Sequence, residues 1–132
     1  MTASRATAWL TAARFAPYLS EADCEHEHAV ALYVWNARVS AAVFETLHHV
    51  EVLLRNTFPH GSGERAEVAG LMSRLVPFRN RLAHHETIIR RPISSHYDEM
   101  LQLAGLIDPD ARAWIESVTR VPEILNERPQ RG

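Results

Sequence analysis

The sequence predicts an all-α protein, a small bundle of about five helices, on three observations. Apolar residues recur in steps of three and four almost throughout. No stretch of β-branched residues alternates with period two, as a half-buried strand would. Proline and glycine gather at a few points that divide the periodic segments into helix-sized pieces.

The first helix is expected around Ala6 to Phe15, stopping before Pro17, because proline lacks the amide donor and restricts the residue before it. The second and longest runs from about Glu21 to Thr57. Its positions Leu32, Trp35, Val39, Val43, Leu47, Val50 and Leu54 build one continuous apolar stripe, and Pro59-His60-Gly61-Ser62-Gly63 ends it. The third is expected from about Glu64 to His85, with Val68, Leu71, Leu75, Phe78 and Leu82 on its core face. Pro77 predicts a kink or restart within it. The fourth follows Pro92, where Ser95-His96-Tyr97-Asp98 has the form of a capping box; it turns Tyr97, Met100, Leu101 and Ala104 to the core and stops near Gly105. Asp108-Pro109 then reads as an N-cap followed by proline at the first helical position, opening a fifth helix with Trp114, Ile115 and Val118. One more turn around Ile124 and Leu125 would close the sequence.

With 132 residues, 46% of them hydrophobic, the chain has the size of a single domain with a real core. A formal net charge of -2 excludes a global attraction to nucleic acid, so any affinity for anions must come from a local patch. All 14 basic residues are arginine, and five of them, Arg74, Arg79, Arg81, Arg90 and Arg91, fall within 18 positions. The single cysteine, Cys24, excludes an internal disulfide and a multi-cysteine zinc site, and fits a reducing cytoplasm. Neither a secretory signal nor an apolar run of the roughly 20 residues that span a bilayer is present, so no membrane association is expected.

Chemistry concentrates in Arg79-Asn80-Arg81-Leu82-Ala83-His84. An arginine offers a permanent planar cation that grips phosphate in bidentate fashion, and a histidine moves protons near neutral pH. At about 100° per residue, Arg79, Asn80, Ala83 and His84 share one face of the third helix, away from its core stripe. Arginine and histidine near a helix C-terminus also simply favour the helix dipole. Glu51 and Arg55, four apart, read as an internal helix pair. Cys24-Glu25-His26-Glu27-His28 contains metal-ligand types, but neighbours two apart on a helix diverge by about 200° and no His-Glu-x-x-His pair accompanies them, so no metal site is assigned. His48 and His49 point to different sides and read as solvated or interfacial.

The stretch Arg79 to His84 resembles the Arg-polar-x-x-x-His signature of the HEPN superfamily, and Phe78 to Glu86 is similar to its abortive-infection (Abi-like) branch. Leu32-Tyr33-Val34-Trp35-Asn36 and Glu51-Val52-Leu53-Leu54-Arg55-Asn56 resemble the Leu-Tyr-x-Trp-Asn and Glu-x-x-Leu-Arg-Asn elements of Abi-like proteins. Arg14-Phe15-Ala16-Pro17-Tyr18-Leu19 and the region of Trp114 are also similar. Only 22 residues separate Asn56 from Arg79, where such proteins generally carry further helices, so the chain resembles a member shortened in its middle.

The resemblance implies an all-α homodimer whose signature helices face each other around a metal-independent, cofactor-free ribonuclease site. It implies that His84 acts as general base or acid on the ribose 2'-hydroxyl or the leaving oxygen, that Arg79 stabilises the charged phosphorane, and that Asn80 orients one of them. Glu51 would hold Arg79 or His84 in position, Arg55 would support the element, and His85 would take a packing or capping role. Arg74, Arg81, Arg90 and Arg91 would supply RNA contacts. The setting implied is prokaryotic abortive infection or toxin-antitoxin defence, with an antitoxin protein as a further partner. The alternative is a non-catalytic, shortened helical module that dimerises or binds a partner protein or RNA.

Overall fold

The computed structural model describes residues 3–57 and 65–130. It contains α1 (Ala3–Leu10), α2 (Ala12–Glu21), α3 (His26–Thr57), α4 (Arg65–Ala83), α5 (Ile93–Ile107), α6 (Pro109–Val118) and α7 (Val121–Asn126). No strand occurs among the described residues, so the architecture is all-α. The breaker expected at 59–63 and the helix start expected at Glu64 lie outside the described residues.

With 32 residues, α3 is about 48 Å long. It touches α1, α2, α4, α5 and α7, while α5 bridges α4 and α6. Leu32, Trp35, Val39, Val43, Leu47 and Val50 are buried, as are Val68, Leu71, Leu75, Phe78 and Leu82 of α4. Met100, Leu101, Leu103 and Ala104 of α5, Ile115 of α6 and Ile124 of α7 complete one continuous cluster. No helix of the described residues is long and apolar enough to cross a membrane.

Several boundaries differ from the sequence expectation, each for a local reason. The first helix is two helices: the chain breaks at Thr11, whose φ is 74° and whose Oγ1 accepts from the Arg14 amide at 3.3 Å. Pro17 lies inside α2 and does not end it. The carbonyl it deprives of a donor belongs to Ala13, which is exposed and open to water. Pro77 is likewise internal to α4, which runs through it without a restart, and the deprived carbonyl belongs to exposed Ser73.

The long helix begins at His26, five residues later than expected. Asp23 and Cys24 take left-handed φ values of 49° and 63°, and both carboxylate oxygens of Glu25 cap the new helix, accepting from the Glu27 and His28 amides. Cys24 and Glu25 are thus turn and cap residues, and no group of three His, Cys, Asp or Glu converges as a metal set among the described residues.

Ser95 is not an N-cap. It sits within α5, which starts at Ile93 after Pro92 and uses no side-chain cap. Gly105 does not stop α5 either; a Cβ there would lie 3.2 Å from Arg112 Cδ, so the glycine serves the close approach of α6. Asp108 does cap α6, its Oδ1 accepting from the Asp110 amide at 2.9 Å with Pro109 at the first helical position.

Trp35 and Asn36 join distant segments. The Trp35 indole donates to the Ile124 carbonyl at 2.7 Å, and Arg128 lies 5.0 Å over its ring. Asn36 Oδ1 accepts from the Ile88 amide at 2.8 Å. Arg128 also donates to the Ile89 carbonyl at 2.8 Å, so α7 and the 84–92 loop are fastened to the same stretch of α3.

One joint between α4 and α5 is built on a partly buried histidine. His96 stacks on Phe78 at 4.1 Å, and its Nδ1 is buried without a hydrogen-bond partner among the described residues. Burial pushes its pKa below the ordinary value of 6.5 and Arg91 adds to this, while Glu99, 4.0 Å away, opposes. A lowered folded-state pKa means that the neutral ring is favoured in the fold. Its stabilising contribution is therefore complete above about pH 6.5 and is lost as the pH falls below that value. Urea midpoints measured between pH 7.5 and 5 should fall for the wild type, and the histidine-dependent part of that fall should vanish in His96→Phe.

Candidate functional site

The end of α4 is shaped by an unusual cap. The His84 amide still bonds back to Asn80, then His85 turns left-handed at φ 57°. The Glu86 amide reaches the Arg81 carbonyl at 2.9 Å and the His85 amide reaches that of Leu82 at 3.2 Å, a Schellman motif with His85 in the position usually given to glycine. This capping geometry fixes His84 at the last turn, where its side chain is exposed. An L-residue in this conformation is penalised by about 1–2 kcal/mol. His85→Gly should accordingly raise stability by about 0.5–1 kcal/mol in thermal denaturation; a loss would show that the imidazole makes a contact more valuable than the relief of strain.

His84 opens onto a cleft of about 1360 Å³ bounded by α1 and α2 on one side, α3 beneath, and the end of α4 with its following loop on the other. Tyr18 and Tyr33 meet edge to face in it at 5.3 Å. Burial raises the Tyr18 pKa, with a hydrogen bond to Thr87 acting the other way. Arg81 and His85 also line this space.

Arg79 does not. Its guanidinium is exposed on the flank facing the C-terminal half of α3, and its Nε donates to Glu51 Oε1 in a close ion pair. Arg79 and His84 are five positions apart, which sets their side chains about 140° apart around α4, at opposite margins of the face the sequence predicts for them rather than side by side. Asn80 is exposed between them, and Arg55 and Asn56 are exposed one turn beyond Glu51.

The arginine cluster is dispersed and largely matched. Arg74 pairs with Glu99 at 3.3 Å, Arg81 with Glu86 at 3.3 Å, and Arg90 with Glu21 at 2.9 Å. Arg90 also donates to Ser20 Oγ at 2.9 Å. Arg91, near His96, pairs with no carboxylate among the described residues. Each exposed pair contributes at most about 1 kcal/mol to stability, but together they remove most of the positive field that the sequence cluster suggested.

No protein-family model, curated protein or solved structure matched this chain.

His49 packs edge to face on Trp114 at 5.0 Å, beside His48 at 5.8 Å. Residues that sequence reasoning left without a chemical role line the cleft floor: Tyr33, Asn36, Ser40 and Phe44. Their spacing of three and four on α3 is a polar and aromatic stripe running beside the apolar one, and that stripe was the available signal.

Proposed function

We propose that this chain is a metal-independent RNA endonuclease of the HEPN, Abi-like kind, acting in prokaryotic abortive infection or toxin-antitoxin defence. The observation that carries this reading is the exposure of a histidine at a rigidly capped helix end, on the lip of a large cleft, one and a half turns from an arginine aimed by a carboxylate.

In this reading His84 takes the proton from the ribose 2'-hydroxyl, or delivers one to the leaving 5'-oxygen. The 2'-oxygen attacks phosphorus, the bond from phosphorus to the 5'-oxygen breaks, and a 2',3'-cyclic phosphate and a 5'-hydroxyl result. Arg79 stabilises the extra charge of the phosphorane, with Glu51 setting its direction and Asn80 orienting the phosphate or the imidazole. Because Arg79 and His84 diverge around α4, two copies with their α4 helices facing would combine the arginine of one with the histidine of the other. A homodimer is therefore part of the proposal, as is an antitoxin that covers the site.

The test is cleavage of labelled single-stranded RNA by the purified protein in EDTA, with analysis of the product ends. Cyclic phosphate termini, and no cleavage of DNA of the same sequence, are expected. A second reading, a non-catalytic dimerisation or partner-binding module, is favoured by the matching of four of the five clustered arginines to carboxylates within the chain. A folded, dimeric protein inert toward a range of RNAs would establish that reading instead.

A further inference from the structure

The floor of the cleft carries polar groups that the fold itself does not use. Tyr33, Asn36, Ser40 and Phe44 lie on one face of α3 and all border the cleft. Ser40 Oγ is buried and has no hydrogen-bond partner among the described residues. Asn36 engages only its oxygen, with the Ile88 amide and Thr87, and its Nδ2 donates to nothing among the described residues. Phe44 leaves 46% of its surface exposed although it sits on the central helix of the bundle. A buried hydroxyl is costly to leave unmatched, and an amide donor open to the cleft with an aromatic face beside it is what a planar, hydrogen-bonding ligand requires.

Size and charge narrow the ligand. From Tyr33 to Glu45 the cleft follows α3 for about 18 Å, and its volume of about 1360 Å³ exceeds the roughly 300–1,000 Å³ of small-molecule sites. An extended segment fits better than a single small molecule. Both acids in its wall are already committed, Glu45 to Arg120 and Glu86 to Arg81. Arg14, by contrast, pairs with no carboxylate among the described residues, and His84 and His85 add donors at the opposite lip. The uncommitted charge is positive, which favours a polyanion over a peptide.

We infer that the cleft is a channel for an unpaired stretch of RNA, one base stacking on Phe44 with its edge bonded to Asn36 Nδ2 and Ser40 Oγ, and the backbone passing Arg14 toward His84. This deepens the nuclease reading and rests on it: it makes the substrate single-stranded and sets the cut beside a base held in the cleft. Duplex RNA, whose bases are stacked and paired, cannot present such a base.

The experiment measures binding by fluorescence anisotropy, and cleavage in EDTA, for a labelled single-stranded RNA, its duplex, and a set carrying one abasic position each. The proteins are wild type, Phe44→Ala, and Ala41→Trp, which fills the cleft; both residues are exposed and outside the core, and circular dichroism checks their fold. Phe44→Ala should weaken single-strand binding about 5- to 100-fold, the effect of losing one base-aromatic stack. One abasic position should weaken wild-type binding by a similar factor and add nothing to Phe44→Ala. Ala41→Trp should block binding, and duplex should bind at least about tenfold more weakly than single strand. If the wild type binds and cleaves RNA but both variants behave like it, the strand runs elsewhere, and the channel is refuted while the nuclease reading stands. If the wild type neither binds nor cleaves RNA in any form, the channel and the nuclease reading fall together.

Discussion

On the ribonuclease reading proposed above, replacing His84 by alanine should reduce RNA cleavage by about 10²- to 10⁴-fold, the span typical for loss of a positioned general acid or base, while leaving the melting temperature unchanged. The second half of that expectation follows from placement. His84 is exposed, and its backbone is held by hydrogen bonds that alanine retains, since the cap is made by the amides of residues 84, 85 and 86. Initial rates on a labelled single-stranded RNA, measured beside circular dichroism melts, check both parts at once. A variant that cleaves like the wild type would remove His84 from the chemistry. If Arg79→Ala cleaves like the wild type, the composite site is wrong even should His84 matter.

The largest loss of stability is expected at Trp35. Truncating a buried tryptophan typically destabilises by about 3–5 kcal/mol, and here the Ile124 carbonyl would also lose its donor and Arg128 its aromatic face. Against a total of about 5–15 kcal/mol for an ordinary domain, Trp35→Ala should leave the protein largely unfolded or detach α7. Trp35→Phe keeps most of the packing and loses the hydrogen bond, so a smaller drop of about 1–2 kcal/mol is expected. Urea denaturation of the two variants separates these contributions. Equal losses would mean that packing matters little and the bond to Ile124 carries the joint.

The apolar stripes of α3 and α4 are legible in the sequence because the 3.6-residue period persists through both helices, and Leu32 to Val50 and Val68 to Leu82 are buried as that period requires. The Asp108 cap is legible for a similar reason: its proline and its side chain act within three residues. Boundaries set by less usual residues are not. Thr11 with a positive φ, Glu25 as a cap and His85 in a glycine position all depend on where neighbouring helices force the chain to turn. Pro17 and Pro77 mislead because what decides their effect is whether the deprived carbonyl meets water, a tertiary fact.

The exposed face of α4 follows from its angular distance from the core stripe. The matching of the arginines does not, because Glu99 and Glu21 arrive from α5 and α2, 25 and 69 residues away in sequence. The cleft is hidden for the same reason: α1 and α2 form one of its walls, and nothing local to His84 announces them.

The fastening of the loop after His84 has a consequence for the order of folding. That loop is secured by Asn36 across 52 residues and by Arg128 across 39, both long closures with a high entropic cost. α3 and its immediate neighbours can associate before either is made. The loop that follows the capped end of α4 should thus be among the last parts to order and the first to open, and the amides of Ile88 and Ile89 should exchange with solvent faster than those of Val39 or Val43. On the proposed ribonuclease reading, the helical scaffold and the capped His84 would form before the cleft wall that follows them.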